Sequence, residues 1–213
     1  MATVVAITLI LAGHAGWLRA EGARPLRIVA LGDSLVAGLG LRAAEAFPAR
    51  LQQALAARGL DVEIVNAGIS GDTAADGLAR LDWSVPEDTD AVILELGGND
   101  ALRGIDPAVT RKALDAILRR LKERRLPVLL CGMLAPRNMG TAYAQAFDGI
   151  FPGLAADYNV VFYPFFLDGV AADLSLNQRD GLHPSAAGVN VIVKRILPKL
   201  EELIARAKPL RGS

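Results

Sequence analysis

The chain has 213 residues, enough for one domain with a continuous core, and its 52% hydrophobic and 22% charged residues make a globular composition. Lys plus Arg and Asp plus Glu each total 23, so there is no net charge and no basic field to recruit nucleic acid, which is set aside as a partner. With one cysteine, Cys131, neither an intramolecular disulfide nor a thiolate metal cluster can form.

In chain order, residues 1–20 come first and differ from the rest. Ala2 to Ala12 is almost wholly apolar and leads into Gly13-His14-Ala15-Gly16-Trp17-Leu18-Arg19-Ala20. Such a run suits the hydrophobic region of a secretory signal and is short for a membrane span, with small residues at Ala15 and Ala20 as cleavage points. The expectation is a periplasmic or secreted protein without stable membrane insertion after cleavage. An uncleaved anchor and a buried first helix are the alternatives.

Short apolar runs then alternate with helical patterns over residues 26–207, the expected domain. Leu26 to Leu31 reads as a strand ending at Gly32-Asp33-Ser34. Ala43 to Arg58 has apolar residues at helical spacing and stops at Gly59. Val62 to Val65 is a second strand. Thr73 to Leu81 forms a short helix with Asp72 as its cap. Ala91 to Leu96 is a third strand, stopped by Gly97-Gly98-Asn99-Asp100.

Pro107 opens a helix reaching Arg125, with Asp106 as cap. Val128 to Met133 is a fourth strand, in which Cys131 reads as a small core hydrophobe. Thr141 to Asp157 reads as one helix and Val160 to Tyr163 as a fifth strand. Ser185 to Ala207 closes the chain, with a kink or break expected at Pro198. This alternation implies a parallel sheet with helices on both faces, whose ligands bind at the carboxyl ends of the strands. Ser34, Gly71 and Asn99 all fall just after strands.

Three segments carry candidate chemistry. A serine at a strand-to-helix turn can project its hydroxyl over the sheet edge, but needs a base to become a nucleophile. His183 is the one histidine outside the leader. In Asp180-Gly-Leu-His183 the spacing lets the carboxylate fold back to one ring nitrogen, leaving the other free for Ser34. Negative charge developing on a carbonyl oxygen would need donors, which the Ser34 N–H, the Gly71 N–H and the Asn99 amide can supply. Taken singly, each motif is also an ordinary turn or cap.

In combination they resemble the sequential blocks of the GDSL/SGNH hydrolases. Gly-Asp-Ser-Leu at 32–35, Gly71 within Asn-Ala-Gly-Ile-Ser-Gly-Asp-Thr, Gly-Gly-Asn-Asp at 97–100 and Asp-Gly-Leu-His at 180–183 occur in that family's order. Leu94 to Gly104 and Ser70 to Leu81 are similar to the small bacterial periplasmic acyl-CoA thioesterase, lysophospholipase and arylesterase subgroup in particular. The resemblance implies a three-layer α/β/α sandwich around a five-stranded parallel sheet, flavodoxin-like in layout. It implies Ser34 as nucleophile, His183 as base, Asp180 as orienting acid, and Ser34, Gly71 and Asn99 as oxyanion donors.

No cofactor or metal is implied; the partner is a small acyl ester or thioester, and a monomer is expected. A carbohydrate acetyl esterase on the same fold is the alternative activity, and a catalytically lapsed binding module the alternative class. Leu102 and Ile105, in the loop from Ala101 to Ile105, are expected to line an acyl site with Leu134 and Met139 and to gate it. Cys131 to Gly140 departs from the subgroup beside that site, so no chain-length preference is carried over. Two other readings fit poorly. The G-x-S-x-G turn of α/β-hydrolases has Val36 at its last position here, and Gly38-Leu-Gly-Leu-Arg-Ala43 lies too far past the first strand to be a dinucleotide turn.

Overall fold

A computed structural model of the protein describes residues 24–207. The expected leader, residues 1–20, and His14 within it lie outside the described residues. Five strands form one parallel sheet: β1 (Leu26–Gly32), β2 (Val62–Gly68), β3 (Ala91–Glu95), β4 (Val128–Cys131) and β5 (Val161–Tyr163). Their order is β2-β1-β3-β4-β5. The chain first winds to one side of β1 and then returns to the other, so the direction reverses between β1 and β3. In parallel sheets a crevice opens at such a reversal, outside the carboxyl ends of the strands.

Helices α2 (Phe47–Ala56) and α9 (Ala186–Ala207) pack together on one face of the sheet. On the other lie α3 (Ala74–Ala79), α6 (Pro107–Glu123) and α8 (Ile150–Tyr158). The expected three-layer α/β/α sandwich is therefore the observed one. Strands covered on both faces must be apolar throughout, and the sequence obeys: Ile28, Val29, Ala30 and Leu31 of β1 and Val92, Ile93 and Leu94 of β3 are all fully buried. Cys131 is buried as expected.

Three helix expectations are corrected, each for a local reason. The run from Ala43 is not one helix. A 3-10 turn at Ala43–Glu45 is followed by α2, with Pro48 in its first turn. A continuous helix would have set the Pro48 ring against the Ala44 carbonyl and lacked an N–H to bond it. Pro152 acts alike against Asp148, so the expected helix from Thr141 divides into α7 (Thr141–Asp148) and α8. Asp72 does not cap α3. Thr73 does, accepting from the Asp76 N–H while Asp76 accepts from the Thr73 N–H.

Pro198, by contrast, does not break α9. Its side faces solvent, where the unpaired Lys194 carbonyl can be hydrated. Ile196, Leu197, Leu200 and Leu203 bury the helix on both sides of it. Among the described residues no helix is long and apolar enough to cross a membrane.

Candidate active site

β1 delivers Ser34 to the crevice. Gly32, its last residue, has no room for a side chain: a Cβ there would lie 2.4 Å from Val36 and 2.8 Å from the Glu95 carbonyl. Asp33 then caps the one-turn helix α1 (Ser34–Ala37), accepting at Oδ1 from the Leu35 N–H at 3.0 Å. This sharp turn lifts Ser34 onto the sheet edge with its N–H at the start of a helical turn.

His183 arrives from a distant part of the chain. Its loop is closed by an antiparallel bridge between Asn177 and Pro184 and by the Gln178 N–H donating to the His183 carbonyl at 2.7 Å. The Gln178 amide donates in addition to the Leu39 carbonyl (2.7 Å) and the Pro184 carbonyl (3.0 Å), tying this loop to the one after α1. His183 Nε2 thereby stands 2.9 Å from Ser34 Oγ, and Nδ1 stands 2.7 Å from Asp180 Oδ2. Asp180 Oδ1 accepts from the Leu182 and His183 N–H groups at 2.9 and 3.0 Å.

Those bonds pull the Asp180 carboxyl down to about 2, the His183 and Leu182 amides contributing most. Asp180 is thus a carboxylate that only accepts. Nδ1 of His183 must carry the hydrogen, and Nε2 is left to accept from the Ser34 hydroxyl. Sequence spacing suggests the Asp180–His183 contact but is silent on Gln178, which holds the loop in place.

Asn99 lies on the one-turn helix α5 (Gly98–Leu102), directly after β3. Its amide donates to Asp33 Oδ2 and to the Asp72 carbonyl, both at 3.0 Å. Gly71, next to Asp72, has φ +91°, a conformation open to glycine at little cost. Its carbonyl accepts from the Arg103 guanidinium at 2.8 Å. Neither the Ser34 N–H nor the Gly71 N–H has an acceptor among the described residues. Ser34, Asn99 and His183 share one cavity of about 600 Å³, while Gly71 lies outside its lining.

Buried polar residues unforeseen in the sequence hold this edge together. Arg80, 6% exposed, pairs with Asp72 and donates to the carbonyls of Gly32 (2.8 Å) and Ala67 (2.9 Å), joining β1 to the loop that carries Gly71. Asp100 accepts from the Ala74 N–H and the Thr110 hydroxyl, each at 2.9 Å, fixing α5 against α3 and α6. One signal is available for the carboxylates alone: Asp33, Glu95 and Asp100 stand at or just past the ends of otherwise apolar strands.

The cavity walls are mainly apolar. Leu102 and Leu134 line them, with Leu35, Met133, Phe165 and Leu167. The expectation for Ile105 and Met139 is corrected, since neither lines the cavity. The Ile105 carbonyl accepts from Tyr143 at 2.8 Å, and Met139 sits behind the loop, where a Cβ on Gly104 would meet it at 3.1 Å. The loop from Ala101 turns away after Leu102, so its far end faces α7 instead of the crevice.

An α/β/α sandwich whose switch-point crevice ends on a hydroxyl, an imidazole and a carboxylate in hydrogen-bonded series defines a hydrolase class. Within that class the chain belongs to the GDSL-like lipase/acylhydrolase family, whose model matches residues 30–191, and it is an ester hydrolase. It is 39% identical to Esterase TesA of Pseudomonas aeruginosa over 178 residues, 83% of this chain and 89% of that one. It is 38% identical to the thioesterase 1/protease 1/lysophospholipase L1 of Escherichia coli over 187 residues, 87% and 88% of the two chains. The crystal structure of the psychrotrophic esterase EstA from a Pseudoalteromonas species, inhibited by monoethylphosphonate, superposes with a TM-score of 0.80 at 29% identity, covering 84% of this chain and 99% of that one.

Proposed function

We propose that the protein hydrolyses carboxylic esters and thioesters through an acyl-enzyme on Ser34. The observation that carries this reading is the 2.9 Å contact between Ser34 Oγ and a His183 ring nitrogen left free to accept. His183 takes the hydroxyl proton as Oγ attacks the acyl carbonyl, and Asp180 steadies the imidazolium that forms. The oxyanion is met by the Ser34 and Gly71 N–H groups and the Asn99 amide. His183 then protonates the departing alcohol or thiol, and water releases the acid by the same steps with His183 again as base.

The acyl group is read as lying along Leu102 and Leu134, the apolar side of the cavity, which agrees with the esterase, thioesterase and lysophospholipase names of the relatives. Residues 1–20 are read as an export signal, so mass spectrometry of the cell-derived protein should find an N-terminus beyond them; an intact Met1 would contradict export by cleavage.

The catalytic reading is tested with p-nitrophenyl butyrate. Ser34→Ala should lower kcat by about 10⁴-fold or more while leaving the fold and thermal midpoint near the parent's. A folded Ser34→Ala variant with near-parental turnover removes Ser34 from the reaction.

A further inference from the structure

Beneath the proposed oxyanion site lie two carboxyl groups that the acyl-transfer steps do not use. Asp33 follows β1 and Glu95 ends β3, where it pairs in register with Gly32 on one side and Cys131 on the other. Their exposures are 2% and 0%. Neither belongs to an ion pair among the described residues. Two adjacent buried carboxylates without cations would repel each other and lose their hydration.

The hydrogen bonds indicate how this is avoided. Glu95 Oε2 accepts from the Asp33 N–H at 3.3 Å, while Oε1, fully enclosed, receives no N–H or O–H. An oxygen so placed is orphaned on a carboxylate, but as the O–H of a carboxylic acid it can donate to the Asp33 carboxyl, which lies within side-chain hydrogen-bond reach. Asp33 has the opposite pattern: Oδ1 accepts from Leu35 and Oδ2 from Asn99. It is the acceptor, and Glu95 the proton carrier. Burial, reinforced by Asp33, holds the Glu95 carboxyl well above the ordinary range.

We propose that Asp33 and Glu95 form a one-proton carboxyl pair that fixes the Asn99 amide for the oxyanion, with Glu95 as a positioning residue remote from substrate. Both amide hydrogens of Asn99 are occupied at rest, by Asp33 and by the Asp72 carbonyl. Asp33 is the buried anchor and keeps its bond. The bond to Asp72, beside Gly71, is the one the oxyanion shares or replaces. The Glu95 proton limits the pair to a single negative charge, so a second does not face the oxyanion. This inference rests on the reading of Asn99 given above.

The test compares Glu95→Gln, Glu95→Leu, Asn99→Ala and the Glu95→Leu/Asn99→Ala double variant on p-nitrophenyl butyrate. Gln can donate to Asp33 and accept from its N–H, so kcat should stay within about threefold of the parent's. Leu removes the proton carrier, and kcat should fall by about 10–100-fold with KM little changed. In the Asn99→Ala background the same Leu substitution should cost little more, because the group it positions is gone.

A Leu effect that multiplies in full with that of Asn99→Ala, or that falls on KM alone, overturns the proposal. So does a Gln variant as impaired as the Leu one. If Asn99→Ala keeps full turnover, the Asn99 reading itself fails; if it is impaired and Glu95→Leu is not, the carboxyl pair alone fails. Should Glu95→Leu not fold, infrared spectroscopy of the native protein near neutral pH decides. A protonated-carboxyl band lost in Glu95→Gln is expected, and its absence from the native protein refutes the pair.

Discussion

The interior of the sheet and its carboxyl edge are built on opposite terms. Between Ile28 and Leu31 and between Val92 and Leu94 every side chain is apolar and fully enclosed. At or just past the ends of the same strands, Asp33, Ser34, Glu95 and Asp100 are almost as deeply buried and all polar. Burial of the first set stabilises the fold by removing hydrocarbon from water. Burial of the second costs free energy unless each group finds a partner, and most here do. The edge therefore holds a fixed geometry at some expense of stability, which the interior offsets.

If that contrast holds, changes at the edge should act on turnover and changes in the interior on stability. After Ser34→Ala, the largest effect is expected from Asp180→Asn, which retains shape but offers His183 Nδ1 an amide in place of a carboxylate. Steady-state kinetics should find kcat down by about 10²–10⁴-fold with the thermal midpoint little moved. Asn99→Ala should lower kcat by about 10²–10³-fold if its amide meets the oxyanion. Leu94→Ala, inside the strand that ends shortly before Asn99, should reverse the pattern. Urea unfolding should record a loss of about 2–5 kcal/mol, while turnover per folded molecule stays near the parent's.

The smallest effect sharpens the contrast through pH. Burial raises the Asp33 carboxyl from 3.8 to about 6. Between those values the folded protein binds more protons at this site than the unfolded chain does. Its contribution is then most favourable below about pH 4 and declines as pH rises through about 6, the reverse of an ion-paired carboxylate. Unfolding free energies of the native protein and Asp33→Asn across this window should differ in slope. The native protein should lose on the order of 1–2 kcal/mol more as pH rises. Equal slopes would mean that Asp33 is not strained by its burial.

The same division explains what could be read from the residues alone. The five strands and their parallel arrangement were legible because uninterrupted apolar runs between helical patterns leave few other folds. Ser34, Asn99 and His183 were legible because motif order places them after strands or in a short Asp-to-His loop. Three local features were misread: the helices interrupted at Pro48 and Pro152, and the cap of α3. In each, one residue's backbone demand outweighs a pattern spread over many. The roles of Arg80, Gln178 and the Asp33–Glu95 contact were not legible, because each depends on partners brought together by the fold. Gln178 meets Leu39 across 139 positions of chain. Neighbours along a loop need not face the same way: Leu102 and Leu134 line the cavity, whereas Ile105 and Met139 do not.

The measurement that bears most directly on the account is mass spectrometry after a fluorophosphonate, which phosphonylates a serine only where a base activates it. One adduct per molecule, mapped to the peptide bearing Ser34 and lost in His183→Ala, is the predicted result. Native protein that hydrolyses esters yet carries no adduct on Ser34, or is labelled as fast without His183, would contradict it.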